Sequence, residues 1–149
     1  MSKDEEIEWL KKRVEFYRRD YNTGLLGRHD FEHDIRTKFD DKDFHLAMHD
    51  VTGLHTVNRL EGWDGGNALL KQVANDLLMC ERPCEVYLIG GDEFMTIYCG
   101  GEPEAIGVRN TTSAVLYSGD FEHVRDLIDA VDKVVSEKKK LLARRRTDI

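Results

Sequence analysis

The stretch 84–99, Cys84-Glu85-Val86-Tyr87-Leu88-Ile89-Gly90-Gly91-Asp92-Glu93-Phe94-Met95-Thr96-Ile97-Tyr98-Cys99, constrains this chain more than any other. Two runs of strand-forming residues flank a Gly-Gly-Asp-Glu tip. Glycine pairs support tight hairpin turns because they reach positive φ without a Cβ clash. The stretch therefore predicts a hairpin with two adjacent carboxylates at its apex. Bare backbone beside acids suits a polyphosphate and its metal ions better than it suits a core. An ordinary exposed acidic turn would use the same residues, so the remainder of the chain has to decide.

The 149 residues are enough for one domain with a sizeable core. A net charge of -7 excludes a broad nucleic-acid or membrane surface, because such partners are met with excess Lys and Arg. A small nucleotide stays compatible, since a metal can bring the positive charge. The basic runs Lys138-Lys139-Lys140 and Arg144-Arg145-Arg146 read as a solvated helix end favoured by the helix dipole. Cys80, Cys84 and Cys99 form no paired spacing, which argues against a disulfide framework or a zinc site. With no apolar signal region and no long apolar run, a cytoplasmic protein is expected.

In chain order, residues 1–20 predict an N-terminal helix and residues 21–149 a single α+β domain. Ile7, Leu10, Val14, Tyr17 and Tyr21 form a short heptad seam. That seam can pack on its own domain, dimerise, or connect to a partner domain. A second helix is expected over 29–39, with Phe31, Ile35 and Phe39 on one face. Residues 44–51 read as a strand in which Leu46, Met48 and Asp50 share a face. An unpaired carboxylate is costly to bury, so an acid at the end of an apolar row marks a strand end where a site can be built. A short helix or turn over 52–61 closes at Gly62. An amphipathic helix follows over 67–79, with Leu69, Leu70, Val73, Leu77 and Leu78 inward. After the hairpin come a short helix near 103–109, a strand over 111–117 and a long helix from 121 to about 144. Val124, Leu127, Ile128, Val131, Val134 and Val135 face inward on that last helix. This order predicts a palm-like, mostly antiparallel sheet covered by helices.

If the strand ending at Asp50 neighbours the hairpin, Asp50, Asp92 and Glu93 converge. Mg²⁺ takes one or two carboxylates and completes its octahedron with phosphate and water oxygens. Two such ions about 3.5–4 Å apart clamp the attacking and leaving oxygens of an in-line phosphoryl transfer. The peptide carbonyl of Val51 is a further candidate ligand.

The sequence resembles the GGDEF family, the diguanylate cyclase domains. Gly90-Gly91-Asp92-Glu93-Phe94 is that signature letter for letter, and Asp20-x-x-Thr23-Gly24-Leu25-x-x-Arg28 is similar to the family's opening turn. Asp50 stands for the strand-end metal aspartate. Asn58, Gly62 and Gly66-Asn67-Ala68-Leu69-Leu70 then follow at the family's offsets without a gap. The resemblance implies two Mg²⁺ ions per site, with Mn²⁺ as an alternative, held by Asp50, the Val51 carbonyl, Asp92 and Glu93. It implies Asp92, Glu93 and Asp50 as the catalytic set, with Asp92 helping to deprotonate a 3′-hydroxyl. Gly90 and Gly91 would let the nucleotide approach, and Asn58 would read its base. The substrate would be GTP or another purine nucleoside triphosphate, and a homodimer would condense two of them into a cyclic dinucleotide such as c-di-GMP.

The departures concern grip. Asn67 replaces the second base-reading aspartate, and a neutral amide presents one acceptor where a carboxylate accepts both guanine donors. The expected loss is about tenfold to a hundredfold in guanine preference, at ~1.4 kcal/mol per decade. Relaxed purine choice follows. His55 replaces a phosphate-binding lysine, and its charge near neutral pH is conditional. Leu88 replaces an arginine, and Lys139 is a weakly aligned match to a lysine on the last helix. The product-inhibition motif would fall at Glu81 and Cys84 and is absent. Trp63 replaces a histidine and is expected in the core or a pocket wall. His45 and His49 are expected on the face opposite Asp50. The competing reading is a degenerate domain that binds a nucleotide, or only dimerises, and regulates a partner.

Overall fold

Apolar residues alternating along the central strands build a five-stranded sheet, and helices cover both of its faces. The computed structural model describes residues 1–39, 43–80, 83–104 and 106–147. Along the chain come α1 (Lys3–Arg18), β1 (Leu26–Gly27), α2 (Arg28–Thr37), β2 (His45–Val51) and α3 (Leu54–Met79). They are followed by β3 (Glu85–Leu88), β4 (Glu93–Tyr98), β5 (Thr111–Tyr117) and α4 (Val124–Thr147). The strand order is β1-β3-β4-β2-β5. β1 runs parallel to β3, and the other three pairings are antiparallel. The expected α+β palm-like layering is the observed one.

Side-chain parity divides the core. Leu46 and Met48 of β2, Tyr87 of β3, and Met95 and Ile97 of β4 meet α2 and α4 on one face. There they pack with Phe31, Ile35, Leu127, Val131 and Val135. Val51, Val86 and Phe94 meet Val73, Ala74 and Leu77 of α3 on the other face. Leu78, expected inward, is 47% exposed, because a helical neighbour of the inward Leu77 points about 100° away. The Tyr87 hydroxyl donates to Asp34 Oδ2 at 2.6 Å and ties α2 to the sheet.

Three local features depart from expectation. No helix forms in the described residues 102–104 and 106–110, where Gly100, Gly101 and Pro103 interrupt the backbone. The helix expected from residue 67 instead resumes directly after Gly62, whose φ of 75° breaks α3 into two segments. α4 begins at Val124 rather than 121, after a single 3₁₀ turn at Ser118–Asp120.

α1 is capped by Ser2, which accepts the Glu5 N–H, but it buries none of its residues. Ile7, Leu10, Val14 and Tyr17 are all exposed, and Tyr21 is 98% exposed. The heptad seam therefore does not pack on its own domain. Among the described residues no helix is long and apolar enough to cross a membrane.

His49 lies on the α3 side of the sheet, opposite in parity to Asp50 as expected. It is fully buried, with Nδ1 2.7 Å from Ser113 Oγ and Nε2 3.0 Å from Thr96 Oγ1. Burial pushes its pKa down to about 4, so the folded protein holds the ring neutral. A depressed folded-state pKa means that the unfolded chain binds the extra proton. The stabilisation is complete above about pH 6.5 and fades as pH falls towards 4, by about 3 kcal/mol in all. Urea unfolding of the wild type and His49→Gln at pH 7, 5.5 and 4.5 checks this. The difference between the two proteins is expected to shrink as the pH falls; a constant difference would refute the assignment.

Candidate functional site

Register brings the acids together. Asp50, one residue before the end of β2, lies directly opposite Glu93 of β4, and opposite Thr112 of β5 on its other side. The Val51 N–H donates to the Asp92 carbonyl at 2.8 Å, and the Ile89 N–H donates to the Glu93 carbonyl at 2.9 Å. The second bond closes the hairpin over Gly90, Gly91 and Asp92, while the first fastens its tip to the end of β2. Asp50, Asp92 and Glu93 each offer a carboxylate oxygen within 4.8 Å of the other two.

Asp50 is only 7% exposed. Burial raises its pKa, a hydrogen bond from Lys139 lowers it, and the Asp92 charge raises it again. Burial also raises the Glu93 pKa, followed by the charges of Asp92 and Asp50. Lys139 of α4 stands against the trio, its Nζ 3.1 Å from Asp50 Oδ2. Three clustered carboxylates facing one half-exposed lysine leave a negative excess. An all-oxygen set of this kind fits a hard divalent cation.

A cleft of about 380 Å³ opens beside the trio. Asp50, Val51, His55, Asp92, Thr112 and Lys139 contribute to its walls. Of the residues singled out from sequence, these include Asp50, Val51, Asp92, His55 and Lys139. Glu93 faces a neighbouring cleft with Met48, Met95 and Asp132. Gly90 and Gly91 are exposed at the tip, yet neither has a positive φ. The expected left-handed turn is not the reason for the pair; a Cβ on Gly91 would meet nothing within 4 Å, whereas one on Gly90 would make ordinary contact with the Glu93 side chain, nearest at 3.6 Å.

Asn58 and Asn67 lie on the two segments of α3 and do not line the cleft beside the trio. Asn58 Oδ1 is buried without a hydrogen-bond partner among the described residues. It abuts Gly66, where any Cβ would collide with it. Asn67 is exposed, and its carbonyl accepts the Asn22 side-chain amide at 2.8 Å. Leu88 packs against the α3-side core. Trp63 is 79% exposed, which overturns its expected core or pocket-wall role: the break at Gly62 turns the start of the second segment outward. Glu81 lies outside the described residues, and Cys84 is exposed. Sequence reasoning missed Asp132, whose charge bears on both Asp50 and Glu93. Its signal was its spacing, two helical turns before Lys139 on the same face.

The sequence matches no protein-family model and no curated protein. Solved structures do match. The coiled coil and GGDEF domain of DgcB from Caulobacter crescentus, in complex with c-di-GMP, superposes with a TM-score of 0.77 at 15% identity, covering 92% of this chain and 88% of that one. The diguanylate cyclase SiaD of Pseudomonas aeruginosa, in complex with its activator SiaC, gives 0.69 at 20% identity over 92% of this chain and 64% of that one. The S helix-GGDEF-EAL portion of Vibrio cholerae LapD, bound to c-di-GMP, gives 0.76 at 12% identity over 93% and 38%. This chain has the GGDEF-domain fold.

The fold at α3 is open to a direct check. A Cβ on Gly65 would lie 2.5 Å from Glu61 Cβ, an atom fixed to the backbone, whereas Gly66 faces only the end of the Asn58 side chain. Gly65→Ala is expected to lower stability by about 1–3 kcal/mol despite the better helix propensity of alanine. Gly66→Ala should cost less, because Asn58 can rotate away. Urea denaturation of both variants measures the order; equal losses would contradict the packing.

Proposed function

We propose that this chain is a divergent GGDEF domain acting as a metal-dependent nucleotidyltransferase of the diguanylate cyclase type. The observation that carries the reading is the convergence of Asp50, Asp92 and Glu93 at one strand-hairpin junction of this fold. Asp50, Asp92, Glu93 and the Val51 carbonyl would hold Mg²⁺ or Mn²⁺, which when bound supplies charge stabilisation for phosphoryl transfer. In this reading His55 and Lys139 face the phosphates from the wall of the cleft. The bare backbone at Gly90 and Gly91 admits the nucleotide, and Asp92 takes the proton of the attacking 3′-hydroxyl. Asn58 and Asn67 meet the base edge. Two amides accept either purine more evenly than a carboxylate would, so GTP preference is relaxed. Two such reactions between facing copies join two nucleoside triphosphates by two 3′→5′ bonds and release two pyrophosphates.

A second reading, a nucleotide-binding or dimerising regulatory domain, draws support from one observation. Among the described residues lining the cleft, Lys139 is the only Lys or Arg, and it is already paired with Asp50. Loss of fixed cations weakens transition-state stabilisation more than ground-state binding.

Incubation with GTP, ATP and their mixture, with Mg²⁺ or Mn²⁺, followed by mass analysis of products separates the two. A cyclic dinucleotide, lost at least about a hundredfold in Asp92→Ala, supports the enzyme. Nucleotide binding without turnover supports the regulatory domain. Strict GTP selectivity in competition with ATP would refute the relaxed purine choice.

The enzyme reading requires a homodimer, as does the dimerising form of the second reading, and the exposed seam of α1 is the surface we assign to it. Sedimentation should show a concentration-dependent dimer in the wild type and a monomer in the Leu10→Asp, Val14→Asp double variant. A dimer that survives the double substitution would remove α1 from the interface.

A further inference from the structure

We propose that Lys139 is a built-in counter-ion. In this proposal its ammonium occupies the charge position of the cation at Asp50 and must leave before the site can load. The proposal rests on the metal-site reading above. Its geometry is specific. Asp50 is the most buried of the three carboxylates, and its side chain retains 9% exposure. Lys139 is the only cation paired with any of the three among the ion pairs of the described residues. Removing it would leave a buried carboxylate facing two others with no compensating charge, a costly arrangement.

The partner is suited to departure. The Lys139 side chain is 50% exposed and long, so it can swing into water without moving the helix. The helix is held independently: Lys138 Nζ donates to the Ser113 carbonyl of β5 at 2.7 Å. Adjacent lysines therefore divide two tasks, one pinning α4 to the sheet and the other reaching the acids. Lys139, Leu142 and Ala143 form the α4 wall of the cleft. Once displaced, the Lys139 ammonium remains beside that cleft, where an anionic phosphate group can engage it. Exchange of partners at Lys139 thus couples cation entry to phosphate entry: each makes the other easier, because one ammonium cannot serve Asp50 and a phosphate together.

The test is a Mn²⁺ titration of the nucleotide-free protein, read by electron paramagnetic resonance of free Mn²⁺. Wild type, Lys139→Met, Lys139→Gln and Lys138→Met are compared, with far-UV circular dichroism to verify folding. Both Lys139 variants are expected to bind Mn²⁺ about fivefold to tenfold more tightly than wild type, because a cation beside the site is gone and the exposed pair was weak. Lys138→Met should stay within about twofold. The Lys139 variants should also bind a non-hydrolysable GTP analogue more weakly in the presence of Mn²⁺. If all four proteins bind Mn²⁺ with equal affinity, the counter-ion role is overturned while the metal site stands. If none binds Mn²⁺ at millimolar concentration, the metal-site reading fails and this proposal fails with it.

Discussion

The antiparallel register between β2 and β4 is the constraint on which the site depends. It sets Asp50 against Glu93 and lets the Val51 N–H reach the Asp92 carbonyl. A slip of one residue would turn Asp50 towards α3 and bring His49 to the acidic side, because strand side chains alternate strictly. The slip is opposed by everything behind it: Leu46 and Met48 would leave the α2 and α4 core, and His49 would lose Ser113 and Thr96. The hydrophobic pattern of a core strand thereby aims a carboxylate that contributes nothing to the core.

That carboxylate works against folding. The pKa values of Asp50 and Glu93 are raised first by burial and then by neighbouring carboxylates, Asp92 foremost, so their ionised forms are less favourable in the folded protein than in water. The apolar cores on the two sheet faces must outweigh this. Sites that gather charge before their ligand arrives are commonly stabilised when it does. The Lys139 contact offsets only part of the strain, since a half-exposed pair is screened by solvent.

Much of this was legible in the sequence because it depends on short-range pattern. The hairpin follows from strand-forming residues around a glycine-rich tip, and Asp50 follows from an acid closing an apolar row. What escaped was set by three-dimensional context. β1 is two residues long and is defined by long-range pairing with β3, so no periodicity could announce it. The absence of a helix among the described residues 102–104 and 106–110, where Gly100, Gly101 and Pro103 interrupt the backbone, and the outward turn of Trp63 after the Gly62 break are such cases. Gly90 and Gly91 were legible as glycines but not in purpose: their backbone needs no left-handed φ, and Gly91 stands in open space while Gly90 lies against the Glu93 side chain. Lys139 was only weakly placed by spacing, yet α4 delivers it to Asp50 across 89 positions of sequence.

The turn between α1 and the sheet has a mechanical consequence. Asp20 Oδ2 accepts from the Asn22 and Thr23 N–H groups and from the Thr23 hydroxyl, and Gly24 takes a φ of 75° to complete the turn. Arg19 reaches back to the Gly24 carbonyl, and Asn22 holds the Asn67 carbonyl on α3. A joint bonded on so many sides behaves as a bracket rather than a hinge. The bearing at which α1 departs is consequently a property of the folded domain. Any second helix lying along Ile7, Leu10, Val14 and Tyr17 would inherit that bearing, and with it the angle at which two such domains confront each other.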